Sequence, residues 1–178
     1  MPASSVKRTP FSEYHRALGA KLVEFAGYEM PLRYTGDVRE HLCVRNAVGL
    51  FDITHMGEYH VAGRDAAAFI QSSVTNDVLG MQVGQAMYTA MCRPDGGIVD
   101  DLLVYRFPDR WMLVVNGATN AKDFAWLRGH VPPGVEFRDV TDEIALLAAV
   151  HEAEQDIQEG RLVSNEAMRS RIEGWTQR

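Results

Sequence analysis

Little in this chain points to a bound metal, an oxidising compartment or a membrane. Of 178 residues only two are cysteines, Cys43 and Cys92, and they form no Cys-x-x-Cys pair. A disulfide-rich scaffold is excluded, and both thiols are expected to fill core space in a reducing, cytoplasmic setting. No apolar run approaches the ~20 residues that span a bilayer. The polar, basic stretch from Met1 to Pro10 is not followed by the apolar core of a signal peptide. The histidines (15, 41, 55, 60, 130 and 151) are scattered without ligand spacing. Neither a GxGxxG fingerprint nor a GxxxxGK[ST] phosphate loop is present. Ser72 and Ser73 lie in a helical run rather than at a strand-to-helix elbow, which sets aside an α/β-hydrolase nucleophile. A net charge of -6 argues against a nucleic-acid surface.

What is present suits one soluble domain with an appendage. Hydrophobic residues make up 46% of the chain, enough for an ordinary core. Thr9-Pro10 opens a short helix over 11–18, followed by a brief strand over 21–25 and a loop over 26–31. A helix over 38–48 follows, with Asp37 as its cap and Gly49 as its stop. Residues 50–61 alternate as one strand-like stretch, and a helix spans 66–73. Strands are expected over 85–92, 98–107 and 111–115, then a helix over 121–129. Two more strands, over 135–140 and 144–149, complete the pattern. This order predicts an α+β fold, an antiparallel sheet with helices on one face. The chain divides into a domain over 1–147 and a helical tail over 148–178, whose acidic stretch His151 to Glu159 precedes a second short helix from Ser164 to Trp175.

The stretch from Pro94 to Tyr105 organises the rest. A Pro-Asp-Gly-Gly turn leads into a strand carrying two adjacent carboxylates, Asp100 and Asp101, among Ile, Val and Leu. Side chains alternate along a strand, so the two aspartates point to opposite faces. Each is costly to bury unless it is paired, hydrogen-bonded or used. A pair of strand-end aspartates satisfied by backbone donors and a functional acid remain equally open on composition. Tyr88, Met56, Leu103 and Asn116 lie at or near neighbouring strand ends. They read as core residues and a helix cap, or as the lining of a site around Asp101.

Several stretches together resemble the N-terminal part of the aminomethyltransferases, the T-proteins of the glycine cleavage system. They are Thr9-Pro10-Phe11 with Leu18 to Val23, Phe25-Ala26-Gly27-Tyr28-Glu29-Met30-Pro31, and Gly49 to Gly57. Thr75-Asn76-Asp77, Gly96 to Leu102 and Val114-Val115-Asn116 complete the set. The resemblance covers about Arg8 to Leu147. It implies transfer of a one-carbon unit from the aminomethyl-lipoyl arm of the carrier H-protein to tetrahydrofolate, with release of ammonia. It implies that Asp101 is the key carboxylate at the pterin, and that Met56, Tyr88, Leu103 and Asn116 line the folate pocket. No metal, nucleic acid or membrane enters the family's chemistry. Folate domains of sarcosine and dimethylglycine oxidation are related, and residues 25–31 and 55–57 favour the glycine cleavage branch.

Two departures accompany the resemblance. Family members are about twice as long, and their remainder supplies further folate contacts, so a truncated or fused reading frame with impaired transfer is expected. Self-association through surface that the longer proteins cover is a second expectation. The segment from Glu152 to Trp175 resembles the C-terminal tail of small type II antitoxins, through Asp156-Ile157 and Glu159 to Glu166. The alternative to an enzyme is a non-catalytic folate-binding or protein-interaction module.

Overall fold

The structure is a computed structural model and describes residues 6–151. The tail helices expected between 152 and 178, and the antitoxin-like segment, lie outside the described residues. Along the chain the strands are β1 (Lys7–Arg8), β2 (Lys21–Phe25), β3 (Tyr28–Arg33), β4 (Val48–Asp52), β5 (Gly57–Ala62), β6 (Ala86–Cys92), β7 (Ile98–Arg106), β8 (Trp111–Val115), β9 (Glu136–Asp139) and β10 (Leu147–His151). The helices are α1 (Ser12–Ala17), α2 (Asp37–Asn46), α3 (Ala66–Ser73) and α4 (Asn120–Arg128).

The main sheet has five strands in the order β6-β7-β8-β5-β9, all antiparallel neighbours. The expected meander is its β6-β7-β8 half. Its turn is tight: the Arg93 N–H donates to Gly97 O at 2.8 Å, and Asp95 Oδ1 accepts from the Gly97 N–H at 2.9 Å. Gly96, at φ 84°, sits in the left-handed region that such a turn demands. One face of the sheet builds the core. Tyr59, Val61, Val104, Leu113 and Val115 pack with Phe69 and Ile70 of α3 and Leu127 of α4, all at most 4% exposed. Each such side chain contributes about 1.5–3 kcal/mol through burial. Tyr59, Phe124 and Phe137 add an aromatic cluster with ring centroids 5.1–5.5 Å apart. The α+β expectation, with these helices on one face, matches the observed architecture.

Several local expectations differ from the structure. Residues 26–31 are not a loop. Ala26 (φ 52°) and Gly27 (φ 81°) form a two-residue hairpin turn, and β3 starts at Tyr28. Pro31 is tolerated in β3 because β1 pairs only with Tyr28 and Glu29, leaving the edge beside Pro31 free. The stretch over 50–61 is two strands, not one. Asp52 Oδ1 accepts the Thr54 N–H at 3.0 Å and Met56 N–H donates to Ile53 O at 3.1 Å, a side-chain-closed turn that ends the first strand. Helix α2 stops at Asn46, and Gly49 lies inside β4. Cys43 is exposed rather than core.

A buried polar network fastens the N-terminal part to β4. Asp52 Oδ2 accepts from Thr9 Oγ1 at 2.7 Å and pairs with His15 Nε2 at 2.9 Å, while His15 Nδ1 meets Tyr34 OH at 2.8 Å. Burial alone would raise the Asp52 pKa, but the hydrogen bonds from His15, Thr54 and Thr9 bring it below the usual value. The stability it contributes is therefore present above the ordinary carboxylate pKa and is lost as pH falls through the lower folded value. Asp52→Asn is expected to cost about 1–3 kcal/mol at neutral pH. In urea melts the gap between variant and parent should close below about pH 4; a gap constant down to acid pH would contradict the role given to the ionised carboxylate.

Candidate functional site

The residues singled out from the sequence gather on the second face of the main sheet. Register pairs Tyr88 with Leu103, Leu103 with Val114, and Val114 with Glu58, so these side chains share one cross-strand row. The next row starts with Ala90 opposite Asp101. Leu102 faces Val115 and Gly57 faces Val115, so one further step along the strands sets Asn116 beside Asp101 and Met56 beside Asn116. Tyr88, Leu103, Asp101 and Asn116 thus gather on one face, and Met56 stands in the turn that leads into β5, beside the turn bearing Asn116. The alternation of strand side chains, together with the β6–β7 hairpin, is what brings the first four together.

The contacts follow the register. Tyr88 reaches diagonally across to donate its hydroxyl to Asp101 Oδ2 at 2.8 Å. That bond, with the burial and charges around it, raises the Tyr88 pKa. The Asn116 amide nitrogen lies 3.2 Å from Asp101 Oδ1 and 3.0 Å from Asp100 Oδ1. The two aspartates do leave β7 on opposite faces, but at the end of β8 one amide group reaches both. Two carboxylates cannot face an amide oxygen, so Nδ2 must be the atom turned toward them. Asn116 then presents Oδ1 outward as an acceptor with no donor among the described residues. Tyr88 is 64% exposed, and Asp101, Leu103 and Met56 are partly buried, so this face is open to a ligand.

Two glycines set how closely the turns approach. A Cβ on Gly117 would overlap the His55 carbonyl oxygen, and a Cβ on Gly57 would press on the Asn120 side chain and Val115. The turn bearing Met56 and the turn bearing Asn116 therefore touch backbone to backbone. Phe25, from the β2–β3 hairpin, packs edge-on against His55 with ring centroids 5.0 Å apart and holds the same turn from outside.

Glu58 was not foreseen. It ends the Tyr88–Leu103–Val114 row, is 0% exposed, and neither carboxyl oxygen has a hydrogen-bond partner among the described residues. Burial, with smaller contributions from Asp139 and Asp142, pushes its pKa up to about 8. In the sequence it alternates with apolar residues as a solvent-facing position would, so no local signal marks it. Among the described residues no helix is long and apolar enough to cross a membrane.

This set of acceptors and apolar surfaces suits a flat ring with N–H groups along one edge. Leu103, Met56 and the Tyr88 ring offer apolar surface, while Asp101 and Asn116 Oδ1 offer acceptors. An aminomethyltransferase of Geobacillus kaustophilus is 50% identical over 144 residues, covering 80% of this chain and 40% of that protein. The aminomethyltransferase of Bacillus subtilis is 45% identical over 144 residues, with the same shares covered. A solved structure, the glycine cleavage system aminomethyltransferase T of Bartonella henselae, superimposes with a TM-score of 0.78 at 34% identity. That match covers 90% of this chain and 45% of the other. The chain thus spans about two fifths of the length of these curated relatives. The family described as the GCVT N-terminal domain matches residues 11–151, most of the sequence, and the chain belongs to that family.

Proposed function

We propose that this chain forms the pterin-holding face of a tetrahydrofolate-dependent aminomethyltransferase. The donor would be the aminomethyl-lipoyl arm of a carrier H-protein, and ammonia would leave as the one-carbon unit passes to the folate. The observation that carries the reading is the Tyr88–Asp101–Asn116 constellation: a hydroxyl and an amide both aimed at one carboxylate on an open sheet face. Asp101 would accept a hydrogen bond from the pterin and favour positive charge developing beside it. Asn116 would accept a second, and Met56, Leu103 and Tyr88 would hold the ring flat. Tetrahydrofolate supplies the nitrogens that take up the carbon; the residues named here bind and orient it.

Calorimetric titration with tetrahydrofolate tests this. The parent chain should bind, and Asp101→Asn should weaken binding on the order of 10- to 100-fold, the loss of one charge-assisted hydrogen bond. Absence of binding by the parent would sink the folate reading. The exposure of Tyr88 favours a second reading, a folate-binding module without turnover, because this face alone does not exclude water. Supplying aminomethyl-loaded H-protein to the folate-bound chain separates the two: ammonia release supports transfer, and binding without ammonia supports the module.

A further inference from the structure

We propose that the buried Asp123 and the partly buried Asp100 form an acid pair that shares one proton, and that this pair is the positioning device that fixes the Asn116 amide and, through it, Asp101. Asp123 is on α4 and is 0% exposed, yet neither of its carboxyl oxygens has a hydrogen-bond partner among the described residues. Lys122, next to Asp123 on α4, bonds the Val99 carbonyl on β7, which brings the Asp123 carboxyl to the strand position beside Asp100. Asp100 receives Asn116 Nδ2 at 3.0 Å, the Asp101 N–H at 2.9 Å and the Thr119 hydroxyl. A fully buried carboxyl beside a second carboxylate is driven to keep its proton. The one with donors keeps the charge, and the one without them keeps the proton and turns it toward its neighbour.

The groups around Asp123 pull in both directions: Lys122 and the Thr119 hydroxyl favour the charged form, and burial with the contact to Asp100 outweighs them. Lys122 Nζ, on the same helix, stands 3.5 Å from Asp123 Oδ1 and is half-exposed. From β5, Tyr59 donates its hydroxyl to the Asn120 carbonyl rather than to Asp123. Burial and then the contact with Asp100 push the Asp123 carboxyl up to about 7. Burial would also raise Asp100, but hydrogen bonds from Asp123, Thr119, Asn116 and the Asp101 N–H bring it down to about 2. Ionisation of Asp123 would place a second charge against Asp100, and the bond between Asp100 and the Asn116 amide would change with it.

The significance for folate rests on the proposed function, but the pair itself can be tested without ligand. Carboxyl carbon NMR of the full chain should show Asp123 titrating near pH 7, with Asp100 ionised throughout. The Asn116 side-chain NH2 resonances should shift with the same midpoint. In Asp123→Asn, where an amide donates to Asp100 at every pH, that shift should vanish. Tetrahydrofolate affinity, which should fall as the parent passes pH 7, should become flat in the variant. An Asn116 amide that does not respond between about pH 6 and 8, or that responds equally in Asp123→Asn, overturns the proposal. The parent titration alone decides this if the variant does not fold. A chain that shows the titration but binds no tetrahydrofolate leaves the acid pair standing and removes the proposed function.

Discussion

Between about pH 5 and pH 8 the folded chain should lose up to about 1.4 kcal/mol of stability per pH unit on account of Glu58. The sign follows from its environment. A buried carboxyl without a donor holds its proton up to about 8, against 4.5 for the free group. The unfolded chain releases that proton earlier, so the stabilisation is complete at low pH, declines through the window, and is gone above about pH 8. Asp123 acts in the same sense over a shorter range, up to about 7. Glu58→Gln preserves the shape and removes the titration. At pH 8 the variant should be several kcal/mol more stable than the parent, and at pH 5 the two should agree to within about 1 kcal/mol. Denaturant melts at three pH values measure this. Parallel stability curves for parent and variant would contradict a proton held on Glu58.

Gly117→Ala should cost about 1–3 kcal/mol in stability and weaken tetrahydrofolate binding on the order of 10-fold or more. Backbone strain is not the reason; the space for the side chain is. The added methyl would occupy the position of the His55 carbonyl oxygen, a backbone atom that cannot rotate away. Relief requires the turn bearing Met56 to separate from the turn bearing Asn116, and these two turns stand side by side at the site. Gly129→Ala serves as the control, because a Cβ there meets only the Ala125 and Trp126 carbonyl oxygens at 3.5 Å. A melt and a titration on both variants suffice. Equal behaviour of the two alanine variants would mean that the turns do not depend on their close approach.

Much of the sheet was legible because its signals are local. The Pro94 to Gly97 turn and the alternation on either side of it predict the β6–β7 hairpin, and from that hairpin Tyr88 and Asp101 become neighbours. What was not legible depends on partners distant in sequence. Glu58 looks like an outward polar residue of an alternating strand. It is buried in a part of the fold where β9 and the turn over Thr141–Glu143 return to β5, with Val140 and Thr141 bonding the Glu58 backbone. Asp123 looks like an acid placed to favour the N-terminus of α4. Only the packing of α4 against β7 reveals a second carboxylate beside it. The break at Ile53 to Met56 was hidden because its turn is closed by the Asp52 side chain, while the alternation of apolar residues continues through it.

The strand order also separates the site from its frame in the time needed to assemble them. Tyr88 and Asp101 are 13 residues apart and Asn116 and Asp101 are 15 apart, whereas Thr54 meets Leu146 across 92 residues where β4 joins β10. By chain statistics, closing the longer loop costs about 2 kcal/mol more entropy than closing the shorter one. Contacts so remote in sequence also form slowly. The β6-β7-β8 meander can therefore bring Tyr88, Asp101 and Asn116 together while the ends of the domain are still apart. The β4–β10 ladder then acts as a closing seam, formed after Tyr88, Asp101 and Asn116 have met.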